Sequence, residues 1–159
     1  MQKSTKRQPK NSRLLARGRL YFFVYFSCKQ GGDKTVNFNA NPMNKRVGDC
    51  AVRALSKALN QPWELTYVGL CLEGFIRCDM PSANNVWGAY LKGKGFKRNI
   101  IPTECPDCYT VRDFCREHPK GTFILALSTH VVAVINGDYY DTWDSGDETP
   151  IYYWFKEEY

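Results

Sequence analysis

The chain has 159 residues, with 22 Lys plus Arg against 16 Asp plus Glu and a formal charge of +6. Seven of the basic residues (Lys3, Lys6, Arg7, Lys10, Arg13, Arg17 and Arg19) and no acid fall in residues 1–19, so the remainder has a net charge of −1. A domain that grips nucleic acid carries its positive charge on the folded surface that meets the phosphates, which restricts such binding to the arm. At 43% hydrophobic and 14% aromatic, the chain has material for one real core, and disorder throughout is excluded.

Residues 1–33 read as a basic arm and an apolar extension, dispensable or disordered, and 34–159 as one domain. The run Leu20 to Phe26 (LYFFVYF) is too short to span a membrane, and its aromatic character and lack of a small-residue cleavage site set it apart from a secretory signal. Seven cysteines are an odd number and too few for a disulfide scaffold, which favours a reducing compartment, the cytoplasm, or the host cytoplasm if the chain is phage-encoded.

Lys34 to Val47 is polar and Asn-rich and reads as a loop. In DCAVRALSKALN the residues Val52, Leu55 and Leu59, widened by Ala51, Ala54 and Ala58, recur at helical spacing, so a buried amphipathic helix starts at Cys50 with Asp49 as its N-cap. Pro62 suits the first turn of a second helix over about 62–73, with Leu65, Val68 and Leu72 facing inward. Ser82 caps a third, ended by the glycines of LKGKGF. Thr110 with Asp113 forms a capping box for a short helix through Glu117.

From Thr122 the period changes to two, and TFILALS, HVVAVI, DYYDTWD and IYYWFK read as strands. Asn136-Gly137 marks a two-residue hairpin turn, since both central positions of a type I′ turn need positive φ. Helices followed by strands predict an α+β domain: a helical half packed on a C-terminal antiparallel sheet.

A two-residue turn makes paired residue numbers sum to 273, which sets Val132 opposite Asp141 and His130 opposite Trp143. His130 and Asp141 are then diagonal neighbours within side-chain reach, and a carboxylate against an imidazole fixes its tautomer and stabilises its protonated form. Asp144 points to the other face and is the reserve acid if the turn is bulged. Cys50 at a helix N-terminus is favoured as a thiolate by the macrodipole and by a nearby imidazolium.

The order of Cys at a helix start, His on a strand and Asp on the next strand resembles the papain-like cysteine peptidases. GDCAVRALSKAL and GTFILALSTHVVAVINGDYYDTWDSGD are similar to small, uncharacterised papain-like peptidases of bacteria and their phages, over roughly residues 36–156. The resemblance implies Cys50 as nucleophile, His130 as general base and acid, Asp141 as orienting group, and a peptide or protein substrate cleaved at an amide or isopeptide bond. Papain-like enzymes carry a Gln a few residues before the nucleophile as oxyanion donor; here Asn44, six residues before Cys50, is the candidate. GDCAVRAL is also similar to ovarian-tumour-domain deubiquitinases, but the Asp those enzymes place three residues before the Cys is Val47 here.

Two alternatives stand beside this reading. Cys105, Cys108, Cys115 and His118 give C-x2-C-x6-C-x2-H, a set with the donor types of a tetrahedral zinc, although Cys115 shares an apolar helix face with Val111 and Phe114. A non-catalytic interaction module with such a zinc, or nucleic-acid binding through the basic arm, are therefore the competing functions; no cofactor is expected on the hydrolase reading.

Overall fold

The computed structural model describes residues 34–101 and 109–156. The chain is α+β, with four helices and a six-stranded mixed sheet in the order β1-β5-β4-β3-β6-β2. The elements are β1 (Thr35–Asn37), α1 (Cys50–Leu59), α2 (Trp63–Arg77), α3 (Asn84–Gly93), β2 (Phe96–Ile100), α4 (Val111–Glu117), β3 (Thr122–Ala126), β4 (Val131–Ile135), β5 (Asp138–Asp141) and β6 (Tyr152–Lys156). Among the described residues no helix is long and apolar enough to cross a membrane.

The central strands alternate between two buried faces. Ile124, Ala126, Val131 and Ala133 pack with Leu55, Leu70 and Trp87 of the first three helices. Leu125, Val132 and Val134 pack with Val111, Phe114 and Cys115 of α4. Both faces are covered, as a sheet between two helical layers requires. β4 and β5 pair antiparallel with Ala133 opposite Tyr140 and Val134 opposite Tyr139, the register expected from a two-residue Asn136-Gly137 turn. Asn136 and Gly137 have φ of 52° and 85°, the left-handed pair that turn demands.

Three sequence expectations need correction. The sheet is mixed rather than antiparallel throughout: Thr35–Asn37, expected as loop, pairs parallel with β5. Phe96–Ile100, to which the sequence reading assigned no element, forms an edge strand on β6. Its last four residues are exposed and include Lys97 and Arg98, the charged edge that discourages further pairing. The second helix runs to Arg77 and presents the opposite face: Thr66, Leu70 and Gly74 are buried, whereas Leu65, Val68 and Leu72 are more than half exposed. The cause is close packing. A Cβ on Gly69 would lie 2.6 Å from the Tyr90 ring, and one on Gly74 would lie 2.6 Å from the Asp79 carbonyl oxygen. The small residues therefore face the protein, while apolar periodicity alone picks out the larger ones.

The third helix begins one residue later than expected, with Ala83 rather than Ser82 at its N-cap. The capping box at Thr110 and Asp113 is present, and α4 has the expected end.

Candidate active site

Three chain segments meet where α1 begins. Cys50 is its first residue, His130 immediately precedes β4, and Asp141 is the last residue of β5. His130 lies outside the ladder of β4, where the pleat no longer fixes side-chain direction. Val132, expected on the same face as His130 and Asp141, packs instead in the α4-side core. The site thus forms at the ends of the strands rather than on a sheet face.

His130 donates from Nε2 to Asp141 Oδ2 at 2.6 Å, and its other ring nitrogen is left for the thiol, with which His130 is hydrogen bonded. Burial alone would push the His130 pKa down, but the bonds to Asp141 and Cys50 and the charges of both outweigh it and carry the value to about 9. Burial alone would also raise the Cys50 pKa. The His130 hydrogen bond and charge, with backbone N–H donors at Val131 and Ala51, overcome this and leave the thiol below its ordinary value. The pair therefore shifts toward thiolate and imidazolium. Trp143, partly exposed, lies against the imidazole with ring centroids 5.4 Å apart.

Asp141 is buried and saturated with donors. Besides His130, it accepts from the Thr142 backbone N–H at 2.7 Å, the Ser145 hydroxyl at 2.8 Å and Arg53 Nη2 at 3.4 Å. Such a carboxylate is fixed in place and can fix the imidazole in turn. Arg53, itself buried, extends the network to Asp49 at 2.7 Å, and Asp49 also accepts from Trp63 Nε1 at 2.9 Å. Asp49 occupies the N-cap position, but its side chain does not cap the helix. Its carboxylate is taken by Arg53 and Trp63, so it does not compete for the N–H groups of the first turn beside the Cys50 sulfur.

Arg53 and Ser145 were not singled out from the sequence. Arg53 carried a signal, a charge on the buried stripe of α1 four residues after Asp49; Ser145 carried none.

The remaining candidates lie elsewhere. Asp144 is held by Arg112 Nη2 at 2.8 and 2.9 Å and by the Tyr139 hydroxyl at 2.5 Å, and these donors and the Gly146 N–H keep its carboxyl below the usual range. With the hairpin unbulged, it has no part in the His130 pairing. Asn44, exposed and with φ of 52°, belongs to an asparagine-rich turn in which its side-chain oxygen accepts from Asn39 at 3.0 Å.

Of the proposed zinc ligands, Cys105 and Cys108 lie outside the described residues, as do the basic arm and the apolar run at 20–26. Cys115 is fully buried in the α4-side core. The His118 ring stacks on Phe114 at 4.0 Å, with Nδ1 against the Phe114 carbonyl at 3.0 Å. Among the described residues no group of three metal-ligating side chains comes together.

No family model matches the chain, and no curated protein or solved structure is significantly similar to it.

Proposed function

We propose that the chain is a papain-like thiol hydrolase that cleaves an amide or isopeptide bond in a peptide or protein through a covalent acyl-enzyme. The observation that carries this reading is the continuous line from the Cys50 thiol, with its lowered pKa, through His130 to a buried Asp141 at 2.6 Å. Nucleophile, base and orienting group occur in the roles that activated-nucleophile catalysis needs. The similarity of the Cys-helix, His-strand and Asp-strand order to papain-like peptidases adds the reaction class.

The chemistry follows from the charge state. The Cys50 thiolate attacks the carbonyl carbon, forming the C–S bond and moving the carbonyl electron pair onto oxygen. The N–H groups at the start of α1 supply positive potential for that oxyanion. Imidazolium His130 passes its proton to the amide nitrogen as the C–N bond breaks and the amine departs. Neutral His130 then takes a proton from water while the water oxygen attacks the thioester. The C–S bond breaks, and the acid leaves with thiolate and imidazolium restored. Asp141 holds the ring and stabilises its cation in both halves.

Alkylation by iodoacetamide at neutral pH tests this. Cys50 is expected to react at least ~10-fold faster than the other six cysteines, and His130→Ala is expected to remove the difference. Equal reactivity of all seven overturns the reading.

A further inference from the structure

The sheet ends on β2, whose neighbour in it is β6. In their antiparallel register Arg98 stands opposite Trp154 and Ile100 opposite Tyr152, which sets Arg98 on the sheet face that Tyr152 and Trp154 present to Trp87 of α3. Between α3 and this corner of the sheet lies a cavity of about 430 Å³, within the roughly 300–1,000 Å³ of sites that enclose small ligands. Its wall contains none of Cys50, His130 and Asp141. It holds two cations, Lys92 and Arg98, and no acid, and among the described residues neither cation pairs with a carboxylate.

The wall also supplies neutral donors. Trp154 is buried, and its indole Nε1 has no hydrogen-bond partner among the described residues. Buried N–H groups are nearly always paired and an indole nitrogen can only donate, so this donor lacks an acceptor. The ring edge next to that nitrogen faces α3 where the helix has no side chain: a Cβ on Gly88 would lie 2.9 Å from Trp154 Cζ2 and 3.7 Å from Cε2. The Asn84 side-chain oxygen accepts from Trp87 Nε1 at 3.0 Å, which leaves its amide N–H groups to donate, and the start of α3 adds the positive end of a helix dipole. Arg98 is held over the Tyr152 ring, its guanidinium carbon 4.1 Å from the centroid, which keeps a planar fork of donors at the wall. Asp79, which accepts from the Asn85 side chain and the Met80 N–H, lies outside the wall. The Tyr152 ring is engaged by Arg98 and by Trp87, stacked at 6.1 Å, so the cavity offers charge and donors rather than a ring face for a nucleobase.

We infer that this cavity is a second binding site, for a small oxyanion: a carboxylate or phosphate held between Lys92 and Arg98, with the Trp154 indole N–H as its inner donor. The arginine fork meets the oxygens of either group in paired hydrogen bonds. The inference is independent of the thiol-hydrolase reading, with which it shares no residue.

The test is a titration of the full chain with inorganic phosphate and with N-acetylglycine, read by the NMR shift of the Trp154 indole N–H. Chloride at the same ionic strength and the neutral amide of N-acetylglycine are the controls. At least one of the two anions is expected to move that resonance saturably with a Kd of about 1 mM or below, while neither control moves it. The tighter of the two identifies the group as phosphate or carboxylate. Arg98→Gln and Lys92→Gln, both at exposed positions, are each expected to weaken binding about 10-fold, the loss of one charge-assisted hydrogen bond. Anion binding confined to the basic arm would leave the Trp154 resonance in place, and that result overturns the inference. A shift that chloride reproduces, or one that both substitutions leave unchanged, overturns it as well.

Discussion

Arg53→Met is the substitution whose consequence can be worked furthest from the structure. The guanidinium is buried between two buried carboxylates, Asp49 at 2.7 Å and Asp141 at 3.4 Å. Met keeps most of the side-chain volume but leaves both carboxylates without their shared cation. Removing one partner of a buried ionic group costs about 3–5 kcal/mol, because the remaining charge stays desolvated. Asp49 retains the Trp63 donor, and Asp141 retains three donors, so the loss is expected at the lower end, about 3 kcal/mol. That is a large share of the roughly 5–15 kcal/mol by which a domain is stable. It corresponds to a fall in Tm on the order of 10 °C for a domain of this size. Urea unfolding of wild type, Arg53→Met, Asp49→Asn and the double variant measures it, with a coupling of about 1–3 kcal/mol expected for residues in one network. The same substitution removes the competing cation from Asp141, so the deprotonation of His130 is expected to move to higher pH. A loss below about 1 kcal/mol with additive single effects would refute the reasoning, because an exposed ion pair behaves in that way.

Other outcomes follow from the same geometry. The thiolate–imidazolium form is lost on the alkaline side when His130 deprotonates near pH 9, and the rate of amide cleavage should fall there; Asp141→Ala, by removing the group that raises this pKa, should move that limb toward lower pH. The stability that the raised His130 pKa contributes is complete below the unfolded value of about 6.5 and disappears as pH rises through about 9. Thermal melts should therefore show a wild-type advantage over Asp141→Ala that shrinks above pH 9; an advantage unchanged between pH 6 and pH 10 contradicts it. Asp144→Ala, which touches Arg112 and Tyr139 but not His130, should lower Tm and leave the alkylation rate of Cys50 as in wild type. A loss of Cys50 reactivity in that variant would reassign the orienting acid.

What the sequence disclosed about this fold depended on whether a local rule or a tertiary contact decided the outcome. The Asn136-Gly137 turn is a local rule with a steric cause, and it placed β4 against β5 in the observed register. The Thr110–Asp113 capping box is another, closed by bonds within four residues. The face of α2 was a tertiary matter. Its helix is apolar on two sides, and Gly69 and Gly74 decide between them by admitting Tyr90 and the chain at Asp79, contacts that no periodicity reveals. β1 has three residues and pairs with a strand about a hundred positions away, so it leaves no alternation long enough to see.

At the site, Cys50 was legible from the helical periodicity that begins at it, and His130 and Asp141 from the Asn136-Gly137 turn, whose register brings them within side-chain reach. The setting of Asp141 was not, since Arg53 and Ser145 reach it from α1 and from the loop after β5. Asp49 shows the limit of motif reading. Its position is that of an N-cap, but the nearby Arg53 and Trp63 offer stronger or better placed donors than the helix N–H groups.

The central claim is that Cys50 and His130 form one ionised pair. Titration of the Cys50 thiolate by its ultraviolet absorbance, in a chain whose other cysteines are replaced by Ser or Ala, measures this directly. The account predicts an apparent pKa below the roughly 8.5 of an ordinary thiol, rising to or above that value in His130→Ala, where burial acts unopposed by the imidazolium. A Cys50 that titrates as an ordinary thiol, with the same value in wild type and in His130→Ala, would contradict it.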